Sequence, residues 1–204
     1  MTSALDKLTE LFREFPGIGP RQARRFVHYL LTREANYINS LTSSLNELKE
    51  SVTQCNRCYA YHLKSKLNKA STCIRCSNDS KDQTTLMLVE KDVDAENIAK
   101  SGTYNGLFFI MGGLLPILEK SPERAIRINQ LKTRLDSDDM ITEVIFAFSA
   151  NRQGDNTQDY LETHLVNKYM PKIKFSSLGR GLSTGTELEY SDGSTLISAI
   201  TNRR

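Results

Sequence analysis

The chain has 204 residues, of which 39% are hydrophobic and 25% charged, with a net charge of +3. These values are ordinary for a soluble protein of one or two domains that buries a sizeable core. No window approaches the roughly 18 apolar residues of a membrane span, and the N-terminus lacks a signal-peptide pattern. We therefore expect a cytoplasmic protein without a membrane partner.

The first 52 residues predict a small helical unit. Apolar residues recur at helical spacing over residues 4–15, from Pro20 to Leu31, and over residues 38–52. Pro16 and Gly17 end the first of these helices, and Pro20 suits the first turn of the second.

From Thr85 onward the pattern changes to strands that alternate with helices. The predicted strands are residues 85–90, 106–113, 143–150 and 172–178. The predicted helices are residues 92–101, 121–135 and 157–169, and a last helix that runs through Ile200. Ser121 and Asp192 are predicted N-caps. Strands alternating with helices predict a mostly parallel sheet covered by helices.

The four cysteines form two CxxC pairs, Cys55 with Cys58 and Cys73 with Cys76, separated by fourteen residues. A CxxC pair lets two thiolates bind one ion from a tight turn, and two such pairs complete a closed tetrahedral Zn²⁺ site. Since a closed site has no open position for a substrate, we expect structural zinc and no catalysis there. Two redox pairs or a disulfide knot are the alternatives. His62, between the pairs, is either a replacement ligand or a surface residue.

Residues 16–20 place Pro-Gly-Ile-Gly-Pro between two predicted helices, which is typical of a helix-hairpin-helix. Gly17 and Gly19 have no Cβ, so the backbone can approach a DNA phosphate and direct its amides at the phosphate oxygens. Arg21 and Arg25 lie four residues apart on one face and can add charge-assisted contacts that read no bases. The alternative is a tight helix–helix turn with a solvated basic face.

Residues 49–81 carry seven Lys and Arg against two acidic residues, a local excess of five positive charges. A basic segment of this kind suits a polyanionic partner. The alternative interpretation is a solvated surface.

Two acidic residues are expected near one end of the predicted sheet. Glu90 ends the first strand of the α/β region, and Asp155 follows the strand at residues 143–150. Carboxylates at the ends of neighbouring parallel strands can share one Mg²⁺. Two carboxylates beside Gln153 would bind a hydrated Mg²⁺ weakly and are a poor basis for two-metal catalysis. The alternative is that both are simply polar residues at strand ends.

The order of these parts resembles the bacterial RecR recombination mediator family over nearly the whole chain. The matching segments are PGIGPRQARR, CNRC, CIRC, LMLVEKDVDAENIAKSGTYNGLFFIMGGLLPIL and the tail GRGLSTGTELEYSDGSTLISAITNRR, which is the most specific of them. The resemblance implies an α+β fold in four parts. These are a helix-hairpin-helix at 1–53, a four-cysteine zinc finger at 54–82, a Toprim-like α/β domain at 83–178 and a helical C-terminal tail at 179–204.

The chain departs from the family pattern in two places. The loop from Tyr59 to Thr72 is longer than the family usually has and rich in lysine, which would alter DNA contact near the finger. Gln153 stands where the family typically has Glu, and Asp155 where it has a second Glu. These substitutions weaken the expectation of bound Mg²⁺.

The resemblance implies a non-enzymatic, sequence-independent mediator of recombinational repair that binds single- and double-stranded DNA at the nucleoid. Its subunits would pair through their N- and C-terminal regions into dimers and a tetrameric ring around DNA. The implied partners are RecO and, in many bacteria, RecF, which load RecA onto strands coated by single-strand-binding protein. Glu90 would belong to the Toprim patch that these partners contact.

Two other classes of function stay open. One is a Mg²⁺-dependent nuclease or topoisomerase-like enzyme built on the Toprim domain. Strand passage needs a nucleophilic tyrosine and a partner domain, however, and cleavage needs more acids than Glu90 and Asp155. The other is a regulatory zinc-finger protein that reads one sequence, which the lack of an evident groove-reading helix disfavours.

Overall fold

The structure is a computed structural model that describes residues 3–64, 71–118, 121–179, 181–182, 185, 187–191 and 193–201, without the side chains of Glu123 and Ser194. The chain divides into two compact units, Met1–Val52 and Thr53–Arg204. No helix of the described part has the length and apolar character of a bilayer span.

The N-terminal unit contains the three predicted helices. They are α1 (Ala4–Arg13), α2 (Pro20–Leu31) and α3 (Ala35–Ser51). The Ser3 hydroxyl caps α1 by accepting from the Asp6 backbone N–H, and the Asp6 carboxylate accepts from the Ser3 N–H in return. The Phe12 and Phe26 rings meet edge to face at 5.7 Å and join α1 to α2.

Helix α3 is amphipathic but has no buried residue, although all of its residues are described. Leu41, Leu45 and Leu48 recur at helical spacing and remain 37%, 56% and 58% exposed. The N-terminal unit therefore has an apolar helix face that its described residues, 3–52, do not cover.

A parallel sheet organises the second unit. Its strands are β3 (Asp82–Val89), β4 (Gly106–Ile110), β5 (Glu143–Ala147) and β6 (Lys174–Ser177). Within the described residues the strand order is β4-β3-β5-β6, and each adjacent pair is parallel. Leu86 of β3 lies opposite Leu107 on one side and Val144 on the other. The mostly parallel sheet predicted from the alternating pattern is confirmed.

Alternate residues of the strands pack against helices on the two faces of the sheet. Within the described residues, the helices between β3 and β6 are α4 (Asp92–Lys100), α5 (Pro122–Ala125), α6 (Ile128–Ser137) and α7 (Arg152–Tyr169). Phe109 and Phe146 join the larger core, to which α6 and α7 contribute Leu131 and Leu161. Met87 and its neighbours on the other face pack with α4. Strands buried on both faces explain their nearly continuous apolar sequences.

The single helix predicted at residues 121–135 is wrong, because the chain forms two helices there. Ile126 is extended, with φ −136° and ψ 156°, and is 3% exposed. The next backbone N–H, of Arg127, donates to the Met111 carbonyl at 3.0 Å instead of continuing a helix. Ser121 is the N-cap residue of the first of these helices, as predicted, but its side chain makes no capping hydrogen bond.

Helix α7 begins five residues before its predicted start at Thr157. The Asn151 side chain accepts from the Gly154 N–H at 2.9 Å and so provides the N-cap. A Cβ on Gly154 would overlap the Ser149 carbonyl oxygen, so this turn needs glycine. The polar residues before Thr157 concealed the helix because they interrupt its apolar periodicity.

Two short strands that periodicity did not predict flank the first CxxC pair. These are β1 (Val52–Gln54) and β2 (Tyr61–Leu63), which pair with each other. The Ile110 N–H donates to the Cys58 carbonyl at 2.8 Å. The cysteine segment is thus fixed to the β4 edge of the sheet.

The described part of the C-terminal tail contains a 3-10 turn at Leu188–Tyr190 and helix α8 (Gly193–Thr201). Ile197 and Ile200 of α8 are 68% and 61% exposed. Asp192, the predicted N-cap of this helix, lies outside the described residues, as does the middle of the lysine-rich loop at 65–70.

Candidate metal centre and nucleic-acid interface

The four cysteine thiols converge on one point. Their sulfur atoms all lie within 4.8 Å of one another, and all four residues are buried. Cys58 Sγ and Cys73 Sγ are 3.5 Å apart, close to the edge of about 3.8 Å that Zn–S bonds of about 2.3 Å give a tetrahedron. The cluster joins the two pairs into one site, unlike two separate redox pairs, and its donor set fits a tetrahedral metal ion.

Backbone amides direct the sulfur of Cys55. The N–H groups of Arg57 and Cys73 donate to Cys55 Sγ at 3.4 and 3.3 Å. Hydrogen bonds from the neighbouring thiols, that of Cys58 first, lower the pKa of Cys55, and the Cys73 amide adds to the shift. A thiolate at this position is the form that binds a metal ion.

The position of His62 separates it from this cluster. Its Nδ1 is 3.1 Å from the Leu63 carbonyl oxygen, and its Nε2 is buried with no hydrogen-bond partner among the described residues. The four sulfurs already supply a full tetrahedral set. His62 is therefore half-buried beside the finger and does not replace a cysteine.

The hairpin turn presents its backbone to solvent. Gly17 has φ +77°, a conformation that residues with a Cβ adopt only under strain. Gly19 has ordinary backbone angles, with φ −82° and ψ 170°. It is the N-cap residue of α2 and, because it has no side chain, makes no capping bond. A Cβ at either glycine would meet no atom within 4 Å. The glycines therefore leave open space in front of the N-terminus of α2.

The arginines that follow are exposed. Arg21 and Arg25 lie on α2, while Ala23 and Val27 of the same helix are buried against the rest of the unit. The first turn of α2 contains no acidic residue. The arrangement thus combines helix N-terminal amides with two arginines, and both groups attract anions.

The carboxyl end of the sheet is less complete as a metal site. Glu90 directly follows β3, and Asp155 is in the first turn of α7. Among the described residues, neither belongs to a cluster of three or more potential metal ligands. Sequence reasoning missed Lys91, whose Nζ is 2.7 Å from Glu90 Oε1. This hydrogen bond raises the pKa of Lys91 and already partly neutralises the Glu90 carboxylate.

Sequence reasoning also missed how the finger is tied to the rest of its unit. Arg57 donates to the Cys76 carbonyl at 2.9 Å and to Asp138 at 2.9 Å. The Arg75 guanidinium lies over the Phe108 ring of β4 at 4.6 Å. The only available signal was an arginine within each CxxC pair, which does not identify a distant partner.

Comparison with known families agrees with this architecture. The profile of the RecR helix-hairpin-helix matches residues 5–49, that of the Toprim domain residues 84–175, and that of the RecR C-terminal region residues 181–204.

Individual relatives match over nearly their whole length. A recombination protein RecR from Herpetosiphon aurantiacus is 31% identical over 198 residues, which cover 97% of this chain and 92% of the relative. The recombination protein RecR of Acidithiobacillus ferrooxidans is 33% identical over 201 residues, which cover 98% of this chain and 96% of the relative. That of Lactobacillus acidophilus is 30% identical over 196 residues, which cover 96% of this chain and 94% of the relative. With the hairpin, the four-cysteine cluster and the parallel sheet in the order that the matches require, the chain belongs to the RecR family.

Proposed function

We propose that this protein is a non-enzymatic mediator of recombinational repair that binds DNA without sequence preference. The observation that carries the proposal is the exposed hairpin, where Gly17 and Gly19 leave the start of α2 open and Arg21 and Arg25 flank it. Amides and guanidinium groups bind phosphates, which are the same in every DNA sequence. The relatives are named recombination proteins, which supports recombination as the process that such binding would serve.

The cysteine cluster would bind Zn²⁺ through Cys55, Cys58, Cys73 and Cys76. Bound zinc would supply a structural cross-link and no reaction, because four thiolates leave no coordination position for a substrate. The chain's own residues prepare the site through burial of the thiols and the amide donors to Cys55. The finger would thereby keep its place on the β4 edge.

Self-association would cover the apolar surfaces that each unit leaves exposed. In the N-terminal unit these are the leucines of α3, and in the tail they are Ile197 and Ile200. Several exposed aliphatic side chains on one helix face favour burial in an assembly. Ring formation would bring several hairpins to one DNA molecule and strengthen weak phosphate contacts through multivalency.

Family membership also supports RecO and RecF as partners in the loading of RecA, with the surface around Glu90 as their contact. Glu90 is 16% exposed and paired with Lys91, so a partner could replace that exposed lysine. A Mg²⁺-dependent nuclease is the weaker candidate, since the acids near Glu90 are sparse and Mg²⁺ would be held weakly.

Competition binding and a cleavage assay test the proposal together. We expect a labelled duplex to be displaced equally by its own unlabelled sequence and by an unrelated one, and single strands to bind as well. With Mg²⁺ or Mn²⁺ present, the DNA should remain intact. Selective retention of one sequence would contradict sequence-independent binding. Cleavage that Glu90→Ala abolishes would instead establish the nuclease.

A further inference from the structure

Two arginine side chains of the second unit converge on a single carboxylate oxygen. Arg57, in the first CxxC pair, and Arg134, on α6, lie 2.9 and 2.8 Å from Asp138 Oδ2. These side chains line a cleft of about 260 Å³. Its other lining residues are Asn56, Tyr59, Gln130, Thr133 and Ser137. The described lining thus carries two positive charges against one negative charge.

Asp138 is the only acidic residue of the described cleft lining that compensates the positive charge of Arg134, and it is shared with Arg57. Its side chain is 7% exposed, and its Nε is buried with no hydrogen-bond partner among the described residues. Burial, followed by repulsion from Arg57, lowers the pKa of this guanidinium. Since a buried cation is costly without sufficient partners, an additional anion in the cleft would stabilise it.

Arg57 is positioned to meet a ligand from solvent. Its side chain is 35% exposed, while its Nη1 is fixed by the Cys76 carbonyl. One wall of the cleft is therefore supplied by the metal-binding finger and the other by α6. A guanidinium held in place in this way loses less freedom when it binds an oxyanion.

The remaining polar lining is neutral and can donate or accept hydrogen bonds. Gln130, Thr133 and Ser137 are exposed and recur at the spacing of one helix face on α6. The volume equals that of about eight or nine liquid waters. This space suits a phosphate group with part of an attached sugar, and it is smaller than most pockets for larger ligands.

We propose that this cleft binds a phosphate group, whether free, in a mononucleotide or in a DNA strand. Arginine forks are well matched to phosphate oxygens, and the side-chain amides of Asn56 and Gln130 can supply further donors. The hydroxyls of Thr133 and Ser137 donate to backbone carbonyls instead. The cleft lining includes neither Arg21 nor Arg25. If the Arg57–Asp138–Arg134 group only braces the finger against α6, the cleft binds no phosphate.

Calorimetric titration with inorganic phosphate tests the proposal. Chloride is exchanged for phosphate so that the ionic strength stays constant. We expect saturable binding that Thr133→Glu weakens at least tenfold, because the new carboxylate repels phosphate at the mouth of the cleft. Thr163→Glu on α7 is the matched control. Each threonine is exposed and bonds the carbonyl four residues earlier, but Thr163 does not line the cleft.

A second variant, Arg57→Gln, should also weaken phosphate binding while zinc content confirms that the finger is intact. No saturable phosphate binding, or equal binding by the wild type and Thr133→Glu, would overturn the proposal. Deoxyadenosine monophosphate and a short oligonucleotide, each titrated into Arg21→Ala/Arg25→Ala, distinguish the possible sources of the phosphate. Tighter binding of the mononucleotide would indicate a nucleotide site, and tighter binding of the oligonucleotide a site for a DNA strand. That background separates the cleft from DNA binding at the hairpin.

Discussion

The four-cysteine cluster and the carboxyl end of the sheet are both predicted metal sites. They differ in how many potential ligands the fold brings together. The cluster brings four buried sulfurs within 4.8 Å of one another. At the sheet end, Glu90 is paired with Lys91, and no cluster of three potential ligands includes it in the described residues. A metal site therefore depends on the number and convergence of its donors more than on the family in which it occurs.

We expect the largest effect, the loss of bound zinc, from removal of one thiol of the cluster. We expect Cys55→Ser to reduce bound zinc from about one ion per chain to below about 0.1, because metal binding and local folding are coupled. The finger should then be cut more rapidly by proteases. Elemental analysis and limited proteolysis measure the two effects.

His62→Ala is the control for that experiment, since His62 lies beside the cluster but outside it. This variant should retain its zinc. Stoichiometric zinc in Cys55→Ser, or zinc loss in His62→Ala, would show that the ligand set is different.

A mutation at the start of α7 tests the geometry that places Asp155. Gly154→Ala should lower the free energy of unfolding by about 1–3 kcal/mol, because the new methyl group overlaps the Ser149 carbonyl oxygen. Gly113→Ala is the control, as its Cβ would have only an ordinary contact, 3.5 Å from the Ala125 carbonyl oxygen. Equal denaturation curves for both variants would indicate that α7 begins differently.

We expect the smallest effect, a change in Mg²⁺ affinity, from a mutation beside Glu90. Mg²⁺ should bind the wild type only weakly, with a Kd above about 1 mM, for want of ligands. Lys91→Gln should tighten that binding by at most about fivefold, since an ion pair with an exposed lysine contributes about 1 kcal/mol or less. Calorimetric titration measures both. Submillimolar binding that Glu90→Gln abolishes would reveal a complete metal site.

Features built from neighbouring residues were predictable from the sequence. The hairpin glycines and the two CxxC pairs each lie within a few residues, so their spacing alone predicts their geometry. The strands were visible because burial on both faces makes their sequences apolar. The motif in the C-terminal tail indicated the RecR family, although it implied nothing about atomic contacts.

Features that depend on distant residues were not predictable. The break at Ile126 follows from its burial and from the bond between Arg127 and Met111, which no local pattern encodes. Arg57 and Asp138 are 81 residues apart in the chain. Such pairings arise only when the finger and α6 pack together, so they need the folded structure.

The salt dependence of DNA affinity tests the central claim most directly. Plots of log K against log salt should be the same for two unrelated duplexes, and Arg21→Ala/Arg25→Ala should reduce the slope by about 1.8. Arg13→Gln, an exposed arginine of α1 paired with Glu10, is the control and should leave the slope unchanged. An unchanged slope in the double variant would show that the hairpin arginines do not contact DNA.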